Sequence, residues 1–190
     1  VSISYQRTRE MTIDELLLEN RVVFLIGEIT PGSAARVTMQ MLYLEKQKPG
    51  QDIHFYINSP GGVVDDTLAI LDTMDFLSSP VSTYCIGRAY SGGAVLLAAG
   101  AKGKRFILPH AKVMIHQPSG GVGGQAEDIR IQAEQIIKMK TQLIEILAKR
   151  TGQTPQVIRD ASERDRYFSA EEAKAFGLVD EVVTKSPATR

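Results

Sequence analysis

The sequence predicts a single α/β domain built on a mostly parallel sheet covered by helices. Three observations carry that expectation. The chain has 190 residues, enough for one sizeable core and too few for two full domains. Short β-branched apolar runs alternate with amphipathic stretches, one unit in about thirty residues, the length of a strand–helix–strand repeat. The strand candidates are apolar almost throughout, as strands covered on both faces are.

RVVFLIG (21–27) reads as a buried strand, because Val, Ile and Phe fit a pleated surface. SAARVTMQMLYLEKQ (33–47) reads as a helix with Val37, Met41 and Leu44 on one face, and KPG ends it. DIHFYI (52–57) is the next strand and NSPGG (58–62) a turn. VVDDTLAILDTMDFL (63–77) is a helix with Asp65 and Asp66 in its first turn, where unpaired amides favour negative charge. VSTYCI (81–86) is a strand and GGAVLLAAG (92–100) a very apolar helix, followed by short strands KRFIL (104–108) and KVMIH (112–116).

After residue 116 the texture changes. QPSGGVGGQ (117–125) holds four glycines in nine residues. A helical segment follows over 126–150, with Ile129, Ala133, Ile136, Ile137, Leu143, Ile144 and Leu147 as an apolar stripe. It would span about 37 Å, more than a small core can cover, so its outer half is expected to meet another copy. TGQTPQVIRDA (151–161) restarts a helix with Pro155 at its first position. SERDRYF (162–168) reads as a charged link, SAEEAKAFG (169–177) as a helix boxed by Ser169 and Glu172, and LVDEVV (178–183) as a closing strand.

Composition narrows the function. Twenty-two basic residues balance twenty-two acidic ones, so neither nucleic acid nor an anionic membrane is an expected partner. The three histidines, His54, His110 and His116, show no ligand spacing, and no metal site is expected. No phosphate loop or dinucleotide motif is present. Cys85, the one cysteine, lies in an apolar run and reads as a small buried hydrophobe in a reducing compartment. No run of eighteen apolar residues exists to span a membrane.

The chemistry gathers in YCIGRAYSGGAVLLAAG (84–100). Ser91 stands between a strand and a buried helix, with glycines beside it. It either caps the helix or is a nucleophile on a sharp strand-to-helix turn. A nucleophilic serine needs a base, normally a histidine held by a carboxylate. His116 ends a strand before a glycine-rich turn and suits that role better than His110 in a tight turn or His54 inside a strand. Asp165, flanked by Arg164 and Arg166, is one of several carboxylates that could orient it. The N–H groups of Gly62 and Gly92, bare of side-chain cover, suit an oxyanion.

FYINSPGG (55–62), GRAYSGGAVLLAAGAKGKRFILPHAKVMIHQP (87–118), GGQAEDI (123–129) and RDRYFSAEEAKAFGLVDEV (164–182) occur in this order, and over about residues 12–184 the chain closely resembles the Clp protease proteolytic subunits (ClpP). The resemblance implies a ClpP/crotonase-type fold of repeated β-β-α units with a protruding strand–helix handle. The family's triad falls on Ser91, His116 and Asp165, and its oxyanion donors on Gly62 and Gly92. The implied organisation is an axial-pore segment at 1–16, a head over 17–118, a handle over 119–150, a return to the head over 151–184 and a tail at 185–190. The glycine-rich strand, with Gly120, Gly121, Val122, Gly123, Gly124 and Gln125, would border the substrate groove and the contact between rings. Tyr56, Phe76 and Phe106 match positions that dock ATPase loops, with His54 where a tyrosine is common.

The activity this resemblance implies is that of an ATP-dependent serine endopeptidase acting on unfolded proteins. It would work in two stacked heptameric rings, homomeric or mixed with a paralogous subunit, fed by a hexameric AAA+ unfoldase. This subunit would need no metal or cofactor, and the unfoldase would use the ATP. The expected location is the bacterial cytoplasm, or an organelle stroma or matrix if a presequence was removed. Two alternatives are an inactive or weakly active structural subunit of a mixed ring and a Ser-Lys protease like the signal peptide peptidases, using Lys102 or Lys104. The chain departs from the family at AYSGG, where Ala and Met commonly flank the serine. Tyr90 is expected to add bulk beside the nucleophile. Gly92 is expected to loosen the oxyanion amide, so that a methionine there would raise turnover provided the surrounding pocket has room for it, overpacking being the opposing effect.

Overall fold

The computed structural model describes residues 10–118 and 120–185. It is a mixed α/β domain with one seven-stranded sheet. The elements in order are α1 (Ile13–Glu19), β1 (Val22–Ile26), α2 (Pro31–Gln47), β2 (Ile53–Ser59), α3 (Val64–Phe76), β3 (Val81–Tyr90) and α4 (Gly92–Ala98). They continue with β4 (Arg105–Ile107), β5 (Lys112–Ile115), α5 (Ala126–Thr151), α6 (Pro155–Ala161), β6 (Arg166–Phe168), α7 (Ala170–Phe176) and β7 (Glu181–Val182). Strands β1-β2-β3-β4-β7 run parallel, β5 joins β3 in parallel, and β6 adds antiparallel to β5.

Strand β3 is four residues longer than the sequence pattern indicates, and those residues position the site. Its lower half pairs with β4 up to Cys85, and its upper half pairs with β5 from Arg88. The change of neighbour falls at Gly87, whose φ of 83° suits glycine. A side chain there would begin 3.1 Å from Asn58 Oδ1. The upper half therefore carries the chain past the edge of β4 and delivers Ser91 beside the end of β5.

The core lies between the sheet and its helices. Alternate residues of β2, from Ile53 to Ser59, are buried on that side. Phe55, Ile57, Leu96, Leu97, Ile107 and Ile158 are fully covered there. The other face carries a row of rings set by strand register, Phe24, Tyr56, Tyr84 and Phe106 in directly paired positions. Their centroids are 5.3, 4.5 and 4.9 Å apart, each contact worth about 1 kcal/mol beyond burial. Burial first, then the neighbouring Tyr56 and Asp52, push the Tyr84 phenol up to about 12.

The late helices are tied down by Arg105. It donates to the carbonyls of Ala98, Arg150 and Gly177, near the ends of α4, α5 and α7, and its fork meets Asp180. Helix ends leave carbonyls unpaired, and one guanidinium satisfies three of them. In α5 only the C-terminal half is covered, by Ile144, Leu147 and Ala148, while Ile137 is 64% exposed.

Several expectations change. Helix α2 starts at Pro31, because Thr30 and Ser33 form a capping box two residues earlier. Helix α1 has no counterpart in the sequence pattern and begins inside the segment 1–16, of which residues 1–9 lie outside the described part. Thr12 and Glu15 form its capping box. Residues 120–125 form no strand among the described residues, since no neighbouring segment completes a ladder with them. The charged link 162–168 contains β6, which the open edge of β5 organises into a strand. The closing strand is limited to Glu181–Val182. Ser119 and residues 186–190, parts of the expected handle and tail, lie outside the described residues.

Candidate active site

Ser91 sits on the sharp turn between β3 and α4 with φ 53° and ψ −119°. Such a conformation is rare for a side-chain-bearing residue and costs roughly 1–3 kcal/mol. It does not cap the helix through its hydroxyl. The hydroxyl instead lies 2.9 Å from His116 Nε2, and His116 Nδ1 lies 3.0 Å from Asp165 Oδ1. A carboxylate only accepts hydrogen bonds, so Asp165 holds the proton on Nδ1 and leaves Nε2 free to accept from the serine.

Strand register explains the meeting. In the antiparallel pair β5–β6, Ile115 faces Arg166. The next residue on one strand, His116, therefore faces the preceding residue on the other, Asp165. Gln117 N–H donates to Ser162 O at 2.7 Å and extends the pairing. Ser91 N–H donates to Met114 O at 2.8 Å, which ties the serine turn to the same strand. A side-chain network braces the loops from α5. Lys140 Nζ donates to Gln117 Oε1 at 2.7 Å and Glu163 Oε2 at 3.3 Å, and Gln117 Nε2 donates to Glu163 O at 3.1 Å. Arg166, a neighbour of Asp165 in sequence, stacks instead over Phe168 and Phe176 at 5.0 and 5.3 Å.

The two glycines expected as oxyanion donors lie on either side of this turn. Ile29 N–H donates to Gly61 O and Val63 N–H donates to Ile29 O, each at 2.9 Å. In such a parallel bridge the N–H of the intervening Gly62 faces away from Ile29. Gly92 opens α4, where no helical carbonyl precedes its N–H. Sequence reasoning passes over Gly61. A side chain on it would begin 2.7 Å from Ser91 Cβ and 3.0 Å from Gly92 N, so its bareness lets the two turns close up. The signal is present as the first glycine of the pair in NSPGG.

The remaining candidates separate clearly. His110 is exposed, and His54 pairs with Tyr84 Oη at 3.1 Å on the far face of the sheet. Burial holds His54 below the usual imidazole range, with Asp52 opposing that shift. Lys104 binds Asp52 at 2.6 Å and Lys102 is exposed, so the Ser-Lys alternative finds no partner for Ser91 among the described residues. Tyr90 makes a T-shaped ring contact with Tyr167 at 5.5 Å and does not line the apolar pocket beside Ser91. At Gly92 the condition of available room is not met. The first carbon of any side chain there would fall 2.4 Å from Thr67 Oγ1 and 3.1 Å from Ile29 Cδ1, so a methionine enters only if Thr67 gives way.

A narrow apolar pocket adjoins Ser91 and His116, walled by residues of α3, α4, α5 and the end of β5. A larger cavity of about 440 Å³ lies between α1, β1 and α2, away from all three residues. Among the described residues no group of three or more His, Cys, Asp or Glu is placed to hold a metal, and no helix is long and apolar enough to cross a membrane.

The arrangement can activate a hydroxyl, stabilise an alkoxide-like oxygen and seat an apolar side chain. Comparison with known proteins agrees with that chemistry. The Clp protease family model matches residues 5–186. The ATP-dependent Clp protease proteolytic subunit 1 of Rhodopirellula baltica is 52% identical over 186 residues, covering 98% of this chain and 82% of that protein. Ser91, His116 and Asp165 thus sit in a chain that matches the family along nearly its whole length, and the chain belongs to the Clp protease family.

Proposed function

We propose that Ser91 is the nucleophile, His116 the general base and acid, and Asp165 the group that orients His116. The activity is that of a Clp protease proteolytic subunit, a serine-type endopeptidase. The observation that carries the residue assignment is the hydrogen-bonded chain from Asp165 through His116 to Ser91, at 3.0 and 2.9 Å.

Ser91 Oγ attacks the peptide carbonyl carbon as His116 Nε2 takes its proton. The carbonyl oxygen gains negative charge and accepts from the N–H groups of Gly62 and Gly92. His116, now an imidazolium steadied by Asp165, gives its proton to the leaving amine as the C–N bond breaks. Water then attacks the acyl-enzyme with His116 again as base, and the acid product leaves.

The wider assignments rest on family membership. The finer fold is the ClpP/crotonase type, with 119–150 as a handle, residues 1–16 lining an axial pore and 151–184 returning to the head. The subunits form two stacked heptameric rings, homomeric or mixed, and a hexameric AAA+ unfoldase feeds them unfolded chains. The unfoldase uses the ATP, and this subunit works without a cofactor. Segment 120–125 borders the substrate groove and meets the opposite ring, and the exposed position of each of its residues in the single chain supports that role. Tyr56, Phe76 and Phe106 dock the unfoldase. Tyr56 and Phe106 lie in the aromatic row, and Phe76 is 81% exposed at the end of α3. The location is a bacterial cytoplasm or an organelle interior.

The test is labelling by a serine-reactive fluorophosphonate with a peptide-cleavage assay. Wild type is expected to label and cleave, and Ser91→Ala to do neither. Equal labelling of Ser91→Ala would overturn the assignment.

A further inference from the structure

Gly92 is bare because Thr67 stands where its side chain would go. Thr67 lies on α3, 1% exposed, and its Oγ1 donates to Val63 O at 2.9 Å, which fixes its rotamer. An ideal Cβ on Gly92 would fall 2.4 Å from that Oγ1 and 3.2 Å from the Thr67 methyl. Real carbon and oxygen atoms do not approach so closely. The two positions therefore compete for one volume, and in this chain the helix opposite Ser91 has won it.

That volume borders the pocket beside the nucleophile. Val64 and Thr67 enter it from α3, three residues apart, and Gly92 and Val95 enter from α4 with the same spacing. Leu143 and Leu147 close it from α5. Apart from Ser91, His116 and the Thr67 hydroxyl the lining side chains are apolar. The free space is about 30 Å³, where about 10–15 Å³ admits one water. A short aliphatic chain fits such a slot and an aromatic ring does not.

Resting on the assignment of Ser91 as nucleophile, we propose that Thr67 is a specificity-determining residue. With Gly92 it sets the width of the slot that receives the substrate side chain preceding the scissile bond. That side chain is attached one carbon from the carbonyl under attack, so it falls in the pocket that abuts both Ser91 Oγ and the Gly92 amide. Thr67 holds the slot to short aliphatic side chains. Size exchange between positions 67 and 92 changes the preference without touching the triad.

The experiment compares the assembled wild type, Thr67→Ala, Thr67→Ser, Gly92→Ala and the double variant Thr67→Ala/Gly92→Ala. The substrates are peptides identical except for Ala, Leu or Phe before the cleaved bond. Removing a methyl-sized wall changes discrimination by about ten-fold or more. Thr67→Ala is expected to raise the Phe-to-Leu ratio of kcat/KM by about that factor, and Thr67→Ser by less in the same direction. Gly92→Ala is expected to lose about ten-fold on all three peptides through overcrowding, and the double variant to regain most of it. Fluorophosphonate labelling accompanies each measurement. A labelled Thr67→Ala, or a labelled Thr67→Ser if the former does not assemble, with a ratio within two-fold of wild type overturns the role of Thr67 alone. A wild type that neither labels nor cleaves overturns the nucleophile assignment and this proposal with it.

Discussion

The amide of Ser91 donates to the carbonyl of Met114 across 2.8 Å, and Met114 lies two residues before His116. Ser91 and His116 thus follow the ends of two paired strands. Ser91 leaves β3 at φ 53°, a conformation that glycine adopts without strain. Ser91→Gly and Ser91→Ala are both expected to abolish cleavage, but Ser91→Gly should be the more stable by about 1 kcal/mol. Thermal melting of both variants at equal oligomeric state checks this. Identical melting temperatures would mean that the turn stores no strain.

Lys140 is expected to act as a positioning residue. Its ammonium joins Gln117, next to His116, with Glu163, two residues before Asp165. Lys140→Met should lower kcat by roughly five- to ten-fold, because slight misplacement of catalytic groups is costly, and should leave KM little changed. Lys140→Arg should restore much of the loss by again bridging both oxygens. Steady-state kinetics on a short peptide decides. A loss confined to KM, or one that arginine does not relieve, counts against positioning.

Helix α5 carries its own test of assembly. Ile137 is 64% exposed on the uncovered half of the helix, an unfavourable place for a large aliphatic side chain in a lone chain. Ile137→Glu is expected to split double rings into single rings or smaller species, with the head still folded. Sedimentation velocity and circular dichroism together read this out. Full-sized particles from the variant would remove that face from the contact.

The Arg105–Asp180 pair, at 2.6 Å, makes stability depend on acid. Burial raises the Asp180 carboxyl, but the Arg105 hydrogen bonds and charge, with the amides of Arg105 and Gly103, outweigh it and hold the group below its ordinary value. A carboxylate lowered in the folded state contributes stability that is present above about pH 4 and is lost as pH falls through the folded value. Asp180→Asn should therefore cost about 2–4 kcal/mol at pH 7. The gap to wild type should narrow below about pH 4. Urea melts across pH would reveal a constant gap if the charge plays no part.

Much of this architecture follows from local sequence. The alternation of β-branched runs with helical stripes, the caps of α6 at Thr154, whose side chain accepts from Val157 N–H, and of α7 at Ser169 and Gly177, and the apolar helix after Ser91 all reflect short-range preferences of backbone and side chain. The motif blocks carry Ser91, His116 and Asp165 as a set because their spacing survives within a recognisable family pattern. Other features depend on residues far apart in the chain. Residues 166–168 become a strand only because β5 offers an open edge, and that pairing alone sets Asp165 opposite His116. His54 and His116 both lie in or beside strands, and only the fork of β3 at Gly87 decides which one meets the serine. Gly92 looks like lost rigidity in the sequence. In three dimensions it is the vacated half of a volume filled by Thr67, twenty-five residues earlier. Local preferences act over a few bonds, whereas close packing allows one volume a single occupant, and only the folded chain shows which residue that is.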